Sequence, residues 1–344
     1  MTLRARYNPG WIASWQDDKH EAWAFREDGQ IFPEASVFMD AIRVEDGAQV
    51  VLKKLISESG SSKEAEMATM LSSLRHESRN HCVQIYDILS VPNSMNQSIQ
   101  LLVMPFLTHW NEPFFETIGE VVDFFRQTIE GLHFLHSRNI AHNDVKSDNI
   151  MMDSRNLYDV PVHPASPEMR RDWSGPAAAH TRTERGVSYL YIDFALTERY
   201  TEASPRRSTW YGGDRTVPEF VQGDADCDPF AVDVYRLGNV FRESITMGSD
   251  FSKKYRGFDF MQSLISDMTQ ENPEKRPKMD DVLQRFDILS SKLGRWKLRS
   301  RVVAHDERLS SRIRNCFVHW AKQLKFMHMH LPAVPRRSNI EIPN

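Results

Sequence analysis

The segment Ile140–Met152 gathers four polar side chains of different chemistry within eight residues: the imidazole of His142, the carboxylate of Asp144, the ammonium of Lys146 and the carboxamide of Asn149. Apolar residues fence it, Ile140 and Ala141 before and Ile150, Met151 and Met152 after. A surface loop has no reason to be fenced in this way, so the segment reads as a loop pinned between two buried anchors. Its spacing is H-x-D-x-K-x-x-N. A pattern this short also arises by chance, so it carries weight only if the rest of the chain supplies further parts in order.

That spacing resembles the catalytic loop of protein kinases. The resemblance implies transfer of the γ-phosphoryl group of ATP: Asp144 accepts the substrate hydroxyl proton, Lys146 steadies the transferred group, and Asn149 holds a magnesium ion, Mg2+. Asn143 stands where the family carries an arginine that binds a phosphate on the activation segment. An uncharged carboxamide gives no such switch. Further on, a strand-like run from Val187 ends in Asp193-Phe194-Ala195, which resembles the D-F-G magnesium motif with alanine for glycine. Asp193 would be the second metal ligand, and the alanine narrows the backbone freedom of the segment.

Upstream, Lys53 lies in the apolar run Val50–Leu55, similar to the kinase strand whose lysine pairs with the α- and β-phosphates. A lysine beside a strand also commonly snorkels. Glu64 fits as the helix glutamate that partners this lysine, with Glu66 as the alternative; Ser61-Ser62-Lys63-Glu64 equally matches a capping box in which Glu64 only serves the helix start. Met104-Pro105-Phe106-Leu107 falls where a kinase hinge lies, so Met104, as gatekeeper, and Phe106 would contact the nucleotide, while Pro105 removes one backbone donor. No G-x-G-x-x-G precedes Lys53, so a different turn must cover the phosphates.

Val217-Pro218-Glu219 stands where A-P-E closes the activation segment, and the stretch from Asp193 to Glu219 carries the hydroxyls of Ser204, Ser208, Thr209 and Tyr211 and a Gly212-Gly213 turn. Asp233-Val234-Tyr235-Arg236-Leu237-Gly238 resembles the start of the large buried helix, whose aspartate takes backbone donors of the catalytic loop. Asn272–Pro277 resembles the late motif whose arginine pairs with the A-P-E glutamate, so Glu219 and Arg276 are predicted to form a buried, structural ion pair.

The resemblance implies an α+β, bilobal fold: a β-rich first lobe with one main helix and a larger helical second lobe. Strands are predicted over 35–42, 49–55, 82–89 and 97–104, a helix follows Ser57 as far as Arg75, and Gly119–Asn139 is amphipathic at helical spacing. The resulting division is 1–34, an extension packed on the small lobe by its tryptophans; 35–104, the first lobe; 105–293, the second, with a loop-rich, partly ordered insertion at 153–188; and 294–344, a basic tail. Within the tail, Leu309, Ile313, Phe317, Trp320 and Leu324 suit a helix docked on the large lobe.

Composition sets the frame. A chain of 344 residues, 40 % apolar, can bury a core of two lobes, and a formal charge of −4 indicates neither nucleic acid nor membrane as a partner. Three separated cysteines point to a reducing compartment, and no apolar run reaches the roughly 18 residues of a membrane span. The start lacks the apolar core of a secretory signal, so an intracellular monomer, cytoplasmic or nuclear, is expected. Arg6–Trp11, Arg79–Val83, Asn149–Asp153 and Asp228–Asp233 are similar to the kinase-like proteins expanded in basidiomycete fungi. Three functions follow, in this order: an ATP-dependent protein kinase, closer to the serine/threonine type because of Lys146; a pseudokinase scaffold; and a small-molecule phosphotransferase of the same fold.

Overall fold

The computed structural model describes residues 1–16, 22–32, 34–57, 62–92, 98–201, 212–223, 227–249 and 252–336. The chain forms two compact units, one of residues 1–75, 83–108 and 153–180, the other of 76–82, 109–152 and 181–344. The first is rich in strands and the second in helices, in keeping with the α+β expectation.

The first unit is built on an antiparallel sheet of β1 (Thr2–Leu3), β2 (Phe38–Ile42), β3 (Gln49–Ser57), β4 (Asp87–Val91) and β5 (Ser98–Pro105), in the order β1-β2-β3-β5-β4. Ala41, Val50, Leu52 and Val103 make the apolar core on this sheet, as the alternation of apolar residues requires. Helix α1 (Lys63–Ser73) is capped by Ser62, whose hydroxyl accepts from Ala65 N at 3.0 Å. The strand expected over 82–89 begins only at Asp87.

Two expectations for this unit need correction. The N-terminal extension is part of the sheet, because Thr2 and Leu3 pair with Ile42 and Ala41. Tryptophan holds it only in part: Trp23 is 57 % exposed, while Trp11 and Trp15 are half-buried and meet edge-on at 5.8 Å. The anchor is buried Arg4, whose Nε donates to both oxygens of Asp40 at 3.0 and 3.1 Å and whose Nη1 donates to Glu27 at 3.2 Å. A run without hydrophobic period hides such an anchor. The insertion is also better ordered than its composition suggests: residues 153–180 group with the first unit and carry the hairpin Val162–His163 and Ser166–Arg170. Fully buried His163 lies 3.1 Å from Arg4 and from Glu27, and Gln49 Nε2 donates to Val162 O at 2.8 Å, so polar contacts rather than apolar period fix it.

In the second unit, α2 (Ile118–His136) starts with a complete capping box between Thr117 and Glu120. Its Phe124 and Phe125 centre an aromatic core: Trp110 stacks on Phe124 at 4.4 Å, and Phe241 meets Phe125 edge-on at 4.6 Å. The unit also contains α3 (Pro218–Gln222), α4 (Pro229–Phe241), α5 (Gln262–Met268), α6 (Met279–Ser291), α7 (Arg295–Arg299) and α8 (Leu309–His328). The tail helix forms, but the face expected to dock does not. Its buried residues are His319, Gln323 and Phe326, whereas Leu309, Ile313, Phe317 and Leu324 are exposed. The reason is polar: His319 Nε2 meets Arg299 O at 2.8 Å, and Arg299 Nη1 donates to Gln323 Oε1 at 3.2 Å.

Candidate active site

The opening loop is suspended from below. Asp233, on the fully buried second turn of α4, accepts from His142 N at 2.7 Å and from Asn143 N at 2.9 Å. Trp110 Nε1 donates to Ser147 Oγ at 3.1 Å, and Thr197 Oγ1 to His142 O at 3.1 Å. His142 is itself a strut. Burial pushes its pKa down, which favours the neutral ring; Nδ1 accepts from Asp144 N at 3.3 Å, and Nε2 faces Ile192 O at 3.2 Å. Asn143 adopts φ 63°, a left-handed conformation that asparagine tolerates. Its Nδ2 donates to Leu196 O at 2.9 Å, so it braces the loop from within.

Three of the expected residues come together here. Asn149 Nδ2 donates to Asp144 Oδ2 at 2.7 Å and to Asp144 O at 2.9 Å, and Lys146 Nζ lies 3.3 Å from the same Oδ2. With its amide nitrogen thus committed, the side-chain oxygen of Asn149 is the atom that could take a hard cation. Asp144 Oδ1 is buried and has no hydrogen-bond partner among the described residues. Such an atom is costly to keep and is the kind of group a substrate satisfies. It lies under the Gly212-Gly213 turn: a Cβ on either glycine would stand 2.9 or 2.6 Å from it. The hydroxyls Ser204, Ser208, Thr209 and Tyr211 lie outside the described residues.

Asp193 follows the short strand Ser188–Tyr191, which neighbours the strand Ile150–Asp153, and takes φ 61°. Ile192 N donates to Asn149 O at 3.0 Å, so the backbones leading to the two expected metal ligands are tied together. An asparagine oxygen and an aspartate carboxylate are hard oxygen ligands, which suits magnesium.

In the first unit, Lys53 Nζ donates to Glu64 Oε1 at 2.6 Å, with both side chains buried. Ser62 is the cap and Ala65 its partner, so Glu64 is not the capping-box residue; the alternative, Glu66, is exposed. Lys53 therefore does not snorkel. Met104 and Phe106 are both buried, Met104 opposite Val51 in the ladder. The Phe106 N–H is committed to Gln49 O at 3.1 Å and its side chain lines a pocket of about 260 Å³ with Gln49, Tyr158 and Val162.

Sequence reasoning missed Arg236. Fully buried on α4, it donates through Nη1 to Asn143 O and through Nη2 to Gly212 O at 3.4 Å. It thereby fastens the turn covering Asp144 to the loop that carries Asp144, and places a cation near that carboxylate. The signal was present as a charge inside the apolar run Val232–Leu237. The predicted pair is also in place, Arg276 reaching Glu219 through two bonds of 2.7 and 2.6 Å.

Comparison with known proteins bears on the family. Residues 34–257 match the family described as the protein kinase domain. A light-sensor protein kinase of Ceratodon purpureus is 26 % identical over 218 residues, 53 % of this chain and 15 % of that protein. A probable serine/threonine-protein kinase of Dictyostelium discoideum is 26 % identical over 170 residues, 49 % of this chain and 10 % of its own length. A second such kinase from that organism is 24 % identical over 275 residues, 70 % of this chain and 21 % of its own. The chain thus spans between 10 and 21 % of the length of these curated relatives. Fold and motifs define a kinase-like α+β protein. The chain belongs to the protein kinase domain family.

Proposed function

We propose that the chain is an ATP-dependent protein kinase of serine/threonine type with Asp144 as its base. The observation that carries this reading is the cluster in which Asn149 and Lys146 hold Asp144 Oδ2 while Oδ1 stays buried without a partner among the described residues. Oδ1 is the atom that would accept the proton of an incoming serine or threonine hydroxyl, and Lys146 would offset charge on the moving phosphoryl group. Asn149 and Asp193 would hold magnesium, and Lys53, steadied by Glu64, would hold nucleotide phosphates. Bound ATP would supply the phosphoryl group, and magnesium would offset its negative charge. Met104 and Phe106 would flank the nucleotide base, Phe106 without its N–H, which Gln49 uses. Because phosphoryl transfer is mostly positioning and electrostatics, these groups meet its main requirement.

A second reading, a nucleotide-binding scaffold without transfer, is favoured by the Gly212-Gly213 backbone lying over Oδ1, which a substrate hydroxyl would have to displace. Labelled phosphate transfer from ATP to the chain and to a mixed protein substrate separates the readings. Label on serine or threonine supports the first. Label only on tyrosine, or only on a small hydroxyl compound, would refute the assigned substrate class. No label, with magnesium-ATP still raising the melting temperature, would establish the scaffold.

A further inference from the structure

Helix α8 is held to the second unit by one face and leaves an apolar face uncovered. Leu309, Ile313, Phe317 and Leu324, exposed to 70, 53, 75 and 59 %, recur at helical spacing and form one stripe along α8. Trp320 falls in the same stripe, and its ring lies 5.6 Å from that of Trp296 on α7, itself 66 % exposed. Scattered exposed apolar residues are ordinary. A register of them on one helix face, continued by a tryptophan, marks an interaction surface.

The charges on α8 say what kind of surface would meet it. From Leu309 to His328 the helix carries Arg312, Arg314, Lys322 and Lys325 and no acidic residue, although the whole chain is at −4. Lys322 is engaged by Glu116 at 2.8 Å. Arg312, Arg314 and Lys325 are exposed and form no ion pair among the described residues. At 3.6 residues per turn, Arg314 and Lys325 border one edge of the stripe and Arg312 the other. Exposed Arg295 and Lys297 flank Trp296.

We propose that this face of α8, with Trp296, docks in the plane of an anionic phospholipid bilayer. An apolar stripe flanked by cations, with tryptophan at its border, is what an interfacial helix presents to acidic lipid. No described helix is long and apolar enough to cross a membrane, so the contact lies on the surface. A second copy of the chain would set like charges against each other. A polypeptide that wraps a basic helix needs all its faces, and His319, Gln323 and Phe326 already occupy one. A flat anionic surface needs only the face that is free. The chain-wide charge, which indicated no membrane partner, averages this local inversion away.

The test uses the purified chain and vesicles of phosphatidylcholine with and without phosphatidylserine. Cys316 is exposed at the edge of the stripe while Cys82 and Cys227 are buried, so an environment-sensitive thiol probe reports from the docking face. The chain should sediment with phosphatidylserine vesicles, blue-shift the probe, and detach as salt is raised. Phe317→Asp should abolish binding. The triple change Arg312→Gln, Arg314→Gln, Lys325→Gln should weaken it roughly a hundredfold, at about fivefold per charge. All these side chains are exposed, and melting curves matching the wild type verify that each variant folds. Equal binding to pure phosphatidylcholine, or to phosphatidylserine vesicles by every variant, would overturn the proposal. So would self-association removed by Phe317→Asp, or a probe shift with polyglutamate but not with vesicles, which would assign the face to a second copy or to an acidic polypeptide.

Discussion

Replacing Arg276 by methionine should destabilise the second unit by about 3–5 kcal/mol, because it leaves a buried charge alone. Arg276 uses two nitrogens on the carboxylate of Glu219, at 2.7 and 2.6 Å, and also donates to the carbonyls of Gln270, Ala231 and Glu271 at 2.8, 3.1 and 3.3 Å. Methionine fills the volume of the stem but strands the carboxylate and three carbonyls in a site from which water is excluded. Glu219→Gln is milder: Arg276 keeps its three carbonyls and one side-chain oxygen, so about 1–3 kcal/mol is expected. The double variant buries no lone charge and should recover part of the loss, giving a favourable coupling in the cycle. Urea unfolding of all four proteins measures this, with hydrogen exchange of α3 and α4 amides to localise the effect, since a chain of two units need not unfold in one step. A cost under about 1 kcal/mol for Arg276→Met, the range of exposed pairs, would refute the claim that this pair is desolvated and structural.

Other consequences follow from single side chains. Burial in α2 pushes the Asp123 carboxyl up to about 7, against an ordinary 3.8. A raised acid contributes stability that is fully present below pH 4 and is lost as pH rises through 7, by up to about 4 kcal/mol. Asp123→Asn should therefore flatten the pH profile of the melting temperature between those limits and stabilise the chain at alkaline pH; an unchanged slope would contradict the assignment. Gly213 has φ 62°, and an added Cβ would stand 2.6 Å from Asp144 Oδ1 and 2.8 Å from Arg236. Gly213→Ala should cost about 1–2 kcal/mol in backbone strain alone and displace the turn, read as faster proteolysis between residues 201 and 223. Unchanged proteolysis and melting would show that the turn does not press on Asp144.

Much of the candidate site was legible as a cluster because its parts announce themselves locally. His142, Asp144, Lys146 and Asn149 share one loop, Asp193 closely follows a strand, and Lys53 sits in an apolar run whose period gives its burial. What stayed hidden depends on tertiary contacts. Thr2 and Leu3 become a strand only because β2 offers its edge, and Arg4 holds them there through Asp40. Arg236 reads as an oddity in an apolar helix until Asn143 and Gly212 are placed against it. The tail was misread for an instructive reason. Its apolar period was taken as the docked face, but the hydrogen bonds of Arg299 with His319 and Gln323 select the other side, and the hydrophobic stripe is left to solvent.

The central claim is that Asp144 takes the proton during phosphoryl transfer. The most direct measurement is the single-turnover transfer rate of wild type and Asp144→Asn at saturating magnesium-ATP, with ATP affinity determined on the same samples. The account predicts that the variant binds ATP as wild type does and folds normally, while its transfer rate falls by roughly a hundredfold or more, the usual share of a general base. Equal rates in the two proteins, or ATP binding without transfer in either, would contradict it.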